Sequence, residues 1–267
     1  MARRWTTAEE NAYRAELVQL YVVENKTISD IGKILNLRGA TVYDRLIRLR
    51  IPTSRQEKKH SDNRRSDVWT PTVRSQKLAE LFGIMLGDGH VSHFQVTVTL
   101  GTKEAAYARY VRLLIKKTFG GTPRITTSSR GHTTVYLGST EITKWLKAEG
   151  LVQNKVVAQV GVPPWIFEDT KYMSGFLRGF FDTDGSVYRL RYGVQISLTN
   201  RSMPLLVSLQ SMLRRLGYTP SAVSADRVYL TKVPDVQRFF REIRPMNPKH
   251  RSRYNLFTRR WRSSKRT

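Results

Sequence analysis

The chain contains no cysteine, so it can form neither a disulfide bond nor a metal site with thiolate ligands. Long apolar runs are missing too, since no stretch reaches the roughly 18 to 20 residues of a membrane-spanning helix. An apolar N-terminal segment typical of secretory signals is also absent. We therefore expect a protein that is not secreted but intracellular, in the cytoplasm or nucleoid of a prokaryote or phage-infected cell, or in an organelle. Any metal must be bound by oxygen or imidazole ligands, which favours a hard ion such as Mg²⁺.

Acidic residues are scarce relative to basic ones. Only 21 aspartates and glutamates stand against 46 lysines and arginines, which gives a formal net charge of +25 and a pI near 10.7. This excess is far larger than solubility requires and predicts a polyanionic partner. Because neither a membrane-spanning run nor a basic amphipathic anchor stands out, we expect nucleic acid and no membrane.

Residues 1–51 have the pattern of a small all-α domain. Their apolar residues recur at helical spacing and fit three short helices. Thr27 or Ser29 could cap the second helix, and the third would turn Val42 and Leu46 inward. The pattern resembles the helix-turn-helix of bacterial regulators, whose second motif helix reads the major groove, although a helical bundle without DNA contact also fits. The predicted DNA contacts are Arg38, Thr41, Tyr43 and Arg45.

Two basic segments flank the rest of the chain. The polar and basic composition of residues 52–73 predicts a linker that lies against phosphates. Residues 259–267 have the same composition and fit either a DNA-contacting tail or a solvated one.

An internal repeat occupies the chain between these segments. The first copy, residues 74–169, contains LFGIMLGDG at residues 81–89, and the second, residues 170–258, contains LRGFFDTDG at residues 177–185. Five successive elements then recur in the same order in both copies, which chance does not readily produce. We predict an α+β protein in which each copy folds as αββαββα.

The two nonapeptides match the signature of the LAGLIDADG homing endonucleases, and the resemblance covers about residues 78–257. It implies a monomer in which two signature helices pack along a pseudo-two-fold axis and two sheets form a DNA-binding saddle. It also implies that Asp88 and Asp184 are catalytic and bind metal with the backbone carbonyls of Gly87 and Thr183. The implied reaction is hydrolysis of both strands of double-stranded DNA with Mg²⁺, for which Mn²⁺ or Ca²⁺ can substitute in binding. Because the two copies differ in almost every residue expected to be exposed, we predict a long, asymmetric site.

The residue types within the nonapeptides agree with this resemblance. Gly83 and Gly179 place no side chain on the helix surface, so two helices could approach closely. Gly89 and Gly185 suit a left-handed C-cap after each aspartate. An aspartate at a helix C-terminus faces the negative end of the helix dipole, which favours a bound cation there.

Residues near the motifs have predicted roles as well. Lys155 and Lys249 follow their nonapeptides at matching distances, and the resemblance suggests that each stabilises charge on the scissile phosphate; an ordinary surface lysine is the alternative. Asp182 occupies the sixth motif position, where the first copy has Leu86, so we interpret it as structural or peripheral. Asn200 matches a position where the family often places a polar residue near the metal.

Alternating strands predict the surface that reads DNA. In residues 95–99 and 195–199, polar and apolar residues alternate, so one face should be buried and the other should face the major groove. Glutamine suits adenine there and arginine suits guanine. The predicted contacts are Gln95, Thr97, Arg124, Arg130, Arg189, Arg191, Gln195, Ser197, Asn200 and Arg227.

Two alternatives stay open. A non-cleaving transcription regulator could combine the helix-turn-helix with a degenerate saddle, and loss of the eighth-position acids would mark it. An intron maturase, which acts on intron RNA, can keep those acids. Because both acids are present, the sequence favours a metal-dependent DNA endonuclease.

Overall fold

The computed structural model describes residues 6–24, 26–51, 53, 65–129, 131–151, 158–191 and 193–263. The chain divides into two compact units, Met1–Ser61 and Asp62–Thr267, and each has its own hydrophobic core. Helices and two antiparallel sheets give the predicted α+β class. None of the described helices combines the length and apolarity needed to cross a membrane.

The first unit is a small helical domain. Its helices are α1 (Thr7–Leu17), which continues as a π-helical segment (Val18–Val23), α2 (Ile28–Ile34) and α3 (Gly39–Arg48). Thr27 caps α2, because its hydroxyl accepts a hydrogen bond from the backbone N–H of Asp30. Val42 and Leu46 of α3 are fully buried, as predicted, and pack in the core with Leu17.

The first repeat has the predicted order of elements. It comprises α4 (Gln76–Leu86), β1 (Gly89–Val91), β2 (Gln95–Gly101), α5 (Ala105–Phe119), β3 (Arg124–Thr127), β4 (His132–Gly138) and α6 (Thr140–Ala148). The strands form an antiparallel sheet in the order β1-β2-β4-β3. Alternation along β2 and β4 buries one face of this sheet against the helices and leaves the other face open.

The second repeat has one strand fewer than the first. It comprises α7 (Thr170–Asp184), β5 (Gly185–Leu190), β6 (Gly193–Thr199), α8 (Met203–Arg215), β7 (Arg227–Leu230) and α9 (Val233–Glu242), and its sheet order is β5-β6-β7. The predicted strand before β7 does not form. Instead, the Ser221 N–H donates to the Tyr229 carbonyl, and the Ser221 hydroxyl accepts from the Tyr229 N–H. Ser221 alone therefore forms the hydrogen bonds to the N–H and carbonyl of Tyr229 that a paired strand would otherwise have formed.

The two predicted basic segments are partly built into the fold. A final helix, α10 (Pro248–Ser263), extends across the predicted start of the tail at residue 259. At the end of the predicted linker, the Trp69 N–H donates to the Phe119 carbonyl and the Gly121 N–H donates to the Asp67 carbonyl. Part of the linker is therefore tied to the end of α5, whereas residues 54–64 lie outside the described part of the chain.

Candidate active site and nucleic-acid interface

Helices α4 and α7 pack with their backbones in direct contact. A β-carbon at Gly83 would overlap the carbonyl oxygen of Phe176 and would lie 2.7 Å from the backbone nitrogen of Phe180. A β-carbon at Gly179 would likewise overlap the carbonyl oxygen of Glu80. The close approach predicted from these glycines is confirmed, and it brings the C-terminal ends of the two helices together.

The two motif aspartates lie where these helix ends meet. A β-carbon at Gly87, the residue before Asp88, would lie 3.5 Å from the carboxyl carbon of Asp184 and 2.8 Å from Cβ of Thr183. Both aspartates are partly exposed. The residues predicted to supply carboxylate and carbonyl oxygens to a metal therefore form one cluster.

Gly89 and Gly185 do not adopt the predicted left-handed C-cap. Gly185 has extended backbone angles, with φ −87° and ψ 159°, and Gly89 is not among the described glycines with positive φ. Glycine is required at these positions because there is no room for a side chain: a β-carbon at position 89 would overlap Met85, and one at position 185 would overlap Phe181. The chain passes from α7 directly into β5 and from α4 through Gly87 and Asp88 into β1, and each strand begins at this glycine.

Asn200 orients the carboxylate of Asp184. Its Nδ2 donates to Asp184 Oδ2 over 3.1 Å, and its Oδ1 accepts from the Ser202 N–H over 2.9 Å, so both ends of the amide are engaged. The corresponding residue after Asp88 is the buried Leu100, which has no polar atom in its side chain. The two motif aspartates therefore have different neighbours.

Asp182 has the surroundings of a structural residue, in agreement with our interpretation of the sixth motif position. Its carboxylate is fully buried and accepts hydrogen bonds from the backbone N–H groups of Met246 and Asn247, at 2.8 and 3.0 Å. Burial raises the pKa of Asp182 to about 7, although these two hydrogen bonds act in the opposite direction. The carboxylate thus ties the end of α7 to the segment that precedes α10.

Glu80, which the sequence reasoning missed, lies buried on α4. Its carboxylate accepts a hydrogen bond of 2.6 Å from the Tyr110 hydroxyl and lies 3.3 Å from the Arg178 guanidinium on α7. Burial raises its pKa despite these partners. The sequence did contain one indication of this site, a single acid within the apolar helix KLAELFGIML, because an acid that is buried requires hydrogen-bonding or charged partners.

Lys249 pairs with Glu104, another residue that the sequence reasoning missed. The Lys249 ammonium lies 2.8 Å from Glu104 Oε1, and Asn247 Nδ2 donates to the same oxygen over 2.6 Å. Burial raises the pKa of Glu104, but the hydrogen bonds from Lys249 and Asn247 outweigh burial, and the net shift is downward. Lys155, the corresponding lysine of the first copy, lies outside the described residues.

The open face of the first sheet carries the side chains predicted to read DNA. Gln95 and Thr97 alternate with the buried Val96 of β2. Thr97 and Arg124 both pair with Tyr136 of β4, so these side chains share the open face. Two further residues of that face, Thr134 and Tyr136, follow from the alternation of β4 and were not singled out. Arg130 lies outside the described residues.

On the second sheet, the register turns Arg189 away from the predicted face. Arg189 pairs with the buried Val194, whereas Tyr188 pairs with Gln195. Directly paired residues share a face, so Arg189 lies on the face opposite Gln195, contrary to our prediction. Gln195 keeps the predicted orientation. Arg191 is exposed at the turn that follows β5.

Ser197 also differs from the prediction, because it is completely buried although it lies on the open face. Its cross-strand neighbours are Ser186 and Tyr229. Ser186 and Tyr188 of β5 lie on this same face, and hydrogen bonding with Ser186 lowers the pKa of the Tyr188 hydroxyl. The half-exposed Tyr188 is therefore the side chain that this part of the face presents to a ligand. Arg227 lies on the same face, opposite Thr199.

The third helix of the first unit presents a mixed surface. Arg38 and Tyr43 are exposed, whereas Thr41 and Arg45 are partly buried. The Arg45 guanidinium lies 4.5 Å from the centre of the Tyr13 ring, which is a cation–π contact. Helix α3 therefore offers polar, aromatic and basic groups on its exposed side.

The donor set at the meeting helix ends fits a hard divalent cation. No group of three or more histidine, aspartate or glutamate side chains among the described residues could hold a metal ion. A metal here would therefore depend on two carboxylates and on backbone carbonyl oxygens, which are ligands that Mg²⁺ accepts together with water. Each aspartate also lies at the negative end of its helix, where a cation is favourable.

Two segments of the chain match a protein-family model. The model is described as the LAGLIDADG-like domain, and it matches residues 75–156 and 171–244, which contain both nonapeptides. The chain belongs to the LAGLIDADG family. The match therefore includes most of each repeat and leaves the first unit outside it.

Individual proteins also resemble this LAGLIDADG chain. The DNA polymerase of Methanocaldococcus jannaschii is 25% identical over 158 residues, which are 52% of this chain and 9% of the polymerase. The homing endonuclease I-DmoI in complex with DNA and Ca is 14% identical, with 63% of this chain and 88% of that chain covered and a TM-score of 0.46. Full-length DUF199/WhiA from Thermatoga maritima is 17% identical, with 72% and 63% covered and a TM-score of 0.46. The chain spans less than a tenth of the polymerase.

Proposed function

We propose that this LAGLIDADG protein is a site-specific, metal-dependent DNA endonuclease that cuts both strands of a long, asymmetric site as a monomer. The observation that supports this proposal most directly is the meeting of the two helix ends. Asp88 and Asp184, the eighth-position acids, are both present and partly exposed, and Gly87, the residue before Asp88, leaves room for the side chain of Thr183, the residue before Asp184. One chain thus supplies the pair of acids that cutting two strands requires.

In the proposed reaction, different residues would bind the metal ion and orient its ligands. Asp88 and Asp184, with the carbonyl oxygens of Gly87 and Thr183, would hold Mg²⁺. When bound, this ion would neutralise charge on the phosphate and make water more acidic. Asn200 holds the Asp184 carboxylate in one orientation by its hydrogen bond to Oδ2. The backbone contact of α4 with α7 keeps the two acids at a fixed separation, so little reorganisation is needed when DNA binds.

DNA would be bound by the open faces of both sheets. The net charge of +25 supplies attraction for phosphates that does not depend on sequence. Gln95, Thr97 and Arg124 would contact bases on one half of the site, and Gln195 and Arg227 on the other. The exposed residues of the two faces differ, which favours an asymmetric site. Arg191 and Asn200 would contact DNA near the ends of their strands.

A random-sequence DNA library tests the function even though the target sequence is unknown. Duplexes bound by the protein in Ca²⁺ would be enriched from the library, and the enriched sites would then be incubated with Mg²⁺. We expect cuts at defined positions on both strands. Sequence-specific binding without cutting in Mg²⁺ or Mn²⁺ would contradict the endonuclease and favour a transcription regulator. Selective binding of structured intron RNA in place of DNA would favour a maturase.

We propose that the first unit is a helix-turn-helix domain that extends the DNA footprint, with Arg38, Thr41, Tyr43 and Arg45 as contacts. Deletion of residues 1–61 should then weaken DNA binding by roughly 100-fold, because one of two linked binding modules is lost. The footprint should shorten at one end, whereas the cleavage rate at saturating protein should stay the same. Footprinting and single-turnover cleavage would test this, and an unchanged footprint would refute the assigned role.

A further inference from the structure

In each repeat, the segment that follows the last strand–helix pair contacts the other repeat. In the first copy, the Gln159 side-chain carbonyl accepts from the Met203 N–H over 3.1 Å, and the Val160 carbonyl accepts from the Ser202 hydroxyl over 2.8 Å. These partners lie where β6 ends and α8 begins. The segment after the last strand–helix pair of one repeat therefore contacts the strand–helix junction of the other.

The second copy makes the corresponding contact with the first repeat. Asn247 and Lys249 both contact Glu104, which lies between β2 and α5. The other carboxylate oxygen of Glu104 accepts from the Gly101 N–H, at the end of β2, over 2.8 Å. Lys249 is thus attached to the strand end of the repeat to which it does not belong.

That strand end is connected to the motif aspartate of the first repeat. The Thr99 N–H of β2 donates to the backbone carbonyl of Asp88 over 3.2 Å. The contacts therefore run from Lys249 through Glu104 and β2 to Asp88. At the equivalent strand end of the second repeat, Asn200 contacts Asp184. Asp184 thus has the side-chain amide of Asn200 beside it. Asp88 instead has Lys249, from the opposite repeat, close to the strand that contacts it.

We propose that Lys249 assists cleavage at Asp88 rather than at Asp184 of its own repeat, and that Glu104 and Asn247 are positioning residues for this lysine. The inference rests on the proposed endonuclease function. A lysine held near the phosphate would stabilise the negative charge that develops during hydrolysis. Asp182 supports the arrangement, since its buried carboxylate fixes the backbone N–H groups of Met246 and Asn247.

Strand-resolved cleavage would test this assignment. Asp88→Asn and Asp184→Asn identify which strand depends on which aspartate. Under single-turnover conditions with saturated DNA, Lys249→Met should slow only the Asp88-dependent strand, by roughly 100-fold. Glu104→Gln should slow the same strand by roughly tenfold with little change in DNA affinity. The double variant should be no slower than Lys249→Met alone, because both changes act through one ammonium group. Lys232→Met, an exposed lysine of the same repeat, is the matched control.

A second measurement does not depend on cleavage activity. The chain has no cysteine, so Lys249→Cys gives a single site for attaching an iron chelate that cuts nearby DNA by hydroxyl radicals. In Ca²⁺, radical cuts should centre on the Asp88-dependent scissile phosphate, and a chelate on Lys232→Cys should not produce them.

Several results would overturn the inference. If Lys249→Met slowed the Asp184-dependent strand, both strands equally or neither, Lys249 would not serve Asp88. Radical cuts centred on the other scissile phosphate would have the same meaning. Failure of the unmodified protein to cut its bound site would instead refute the proposed function, and this inference would fall with it.

Discussion

Replacing Asp88 by asparagine is expected to stop cleavage of one DNA strand, so that the variant at most nicks the DNA by cutting the other strand. Asp184→Asn should have the same effect on the opposite strand, and the double variant should cut neither. Each substitution keeps the shape of the side chain but removes a negative oxygen ligand where the two helix ends meet. We expect the affected strand to be cut about 1,000-fold more slowly or worse. Conversion of supercoiled plasmid to nicked and linear forms would measure both rates.

Asp169→Asn is a matched control for these two variants. Asp169 caps the start of α7 by accepting from the Lys171 N–H over 2.7 Å, and asparagine can act as the same cap. It lies about 22 Å from Asp184 along the helix. Its substitution should leave both cutting rates unchanged. DNA binding by the Asp88 and Asp184 variants should persist, because each change removes a negative charge facing DNA. Full linearisation by Asp88→Asn would show that the acid pair is not the catalytic centre.

The repeat in the sequence predicted most of the architecture. A duplicated order of elements predicted two similar halves, and the third motif residues, Gly83 and Gly179, predicted where the halves touch. Both predictions depend on patterns within one segment of chain. They could be made because local periodicity and residue size decide which face of a helix is buried and how closely a neighbour can approach.

Features that depend on pairing between segments were harder to predict. Arg189 lies on the unexpected face because the register across the β5–β6 hairpin decides which residues share a face of the sheet. A register shift of one residue would move every side chain of the strand to the other face. Gly89 satisfies a need for space beside Met85, which only the packed structure reveals. Lys249 pairs with Glu104, far away in sequence, and no local pattern links the two.

The close contact of α4 and α7 leads to the second large expected effect, which is on stability. Gly179→Ala should destabilise the second unit by about 3 kcal/mol or more, because the added methyl group would overlap the backbone carbonyl of Glu80 and would lie 3.0 Å from the nitrogen of Ile84. Backbone atoms cannot rotate aside, so the helices would have to separate. Intrinsic helix propensity predicts the opposite sign, since alanine is favoured over glycine by about 1 kcal/mol inside a helix.

Gly161→Ala provides the comparison for this stability measurement. A β-carbon at Gly161 would lie 3.9 Å from Cβ of Pro204, which is ordinary van der Waals contact. Its urea unfolding midpoint should stay near that of the unmodified protein, whereas the Gly179→Ala midpoint should fall clearly. Because the two motif aspartates are held by the same helix pair, Gly179→Ala should also lose cutting of both strands together, unlike either aspartate variant. A Gly179→Ala protein as stable as the unmodified one would show that the helix backbones do not touch.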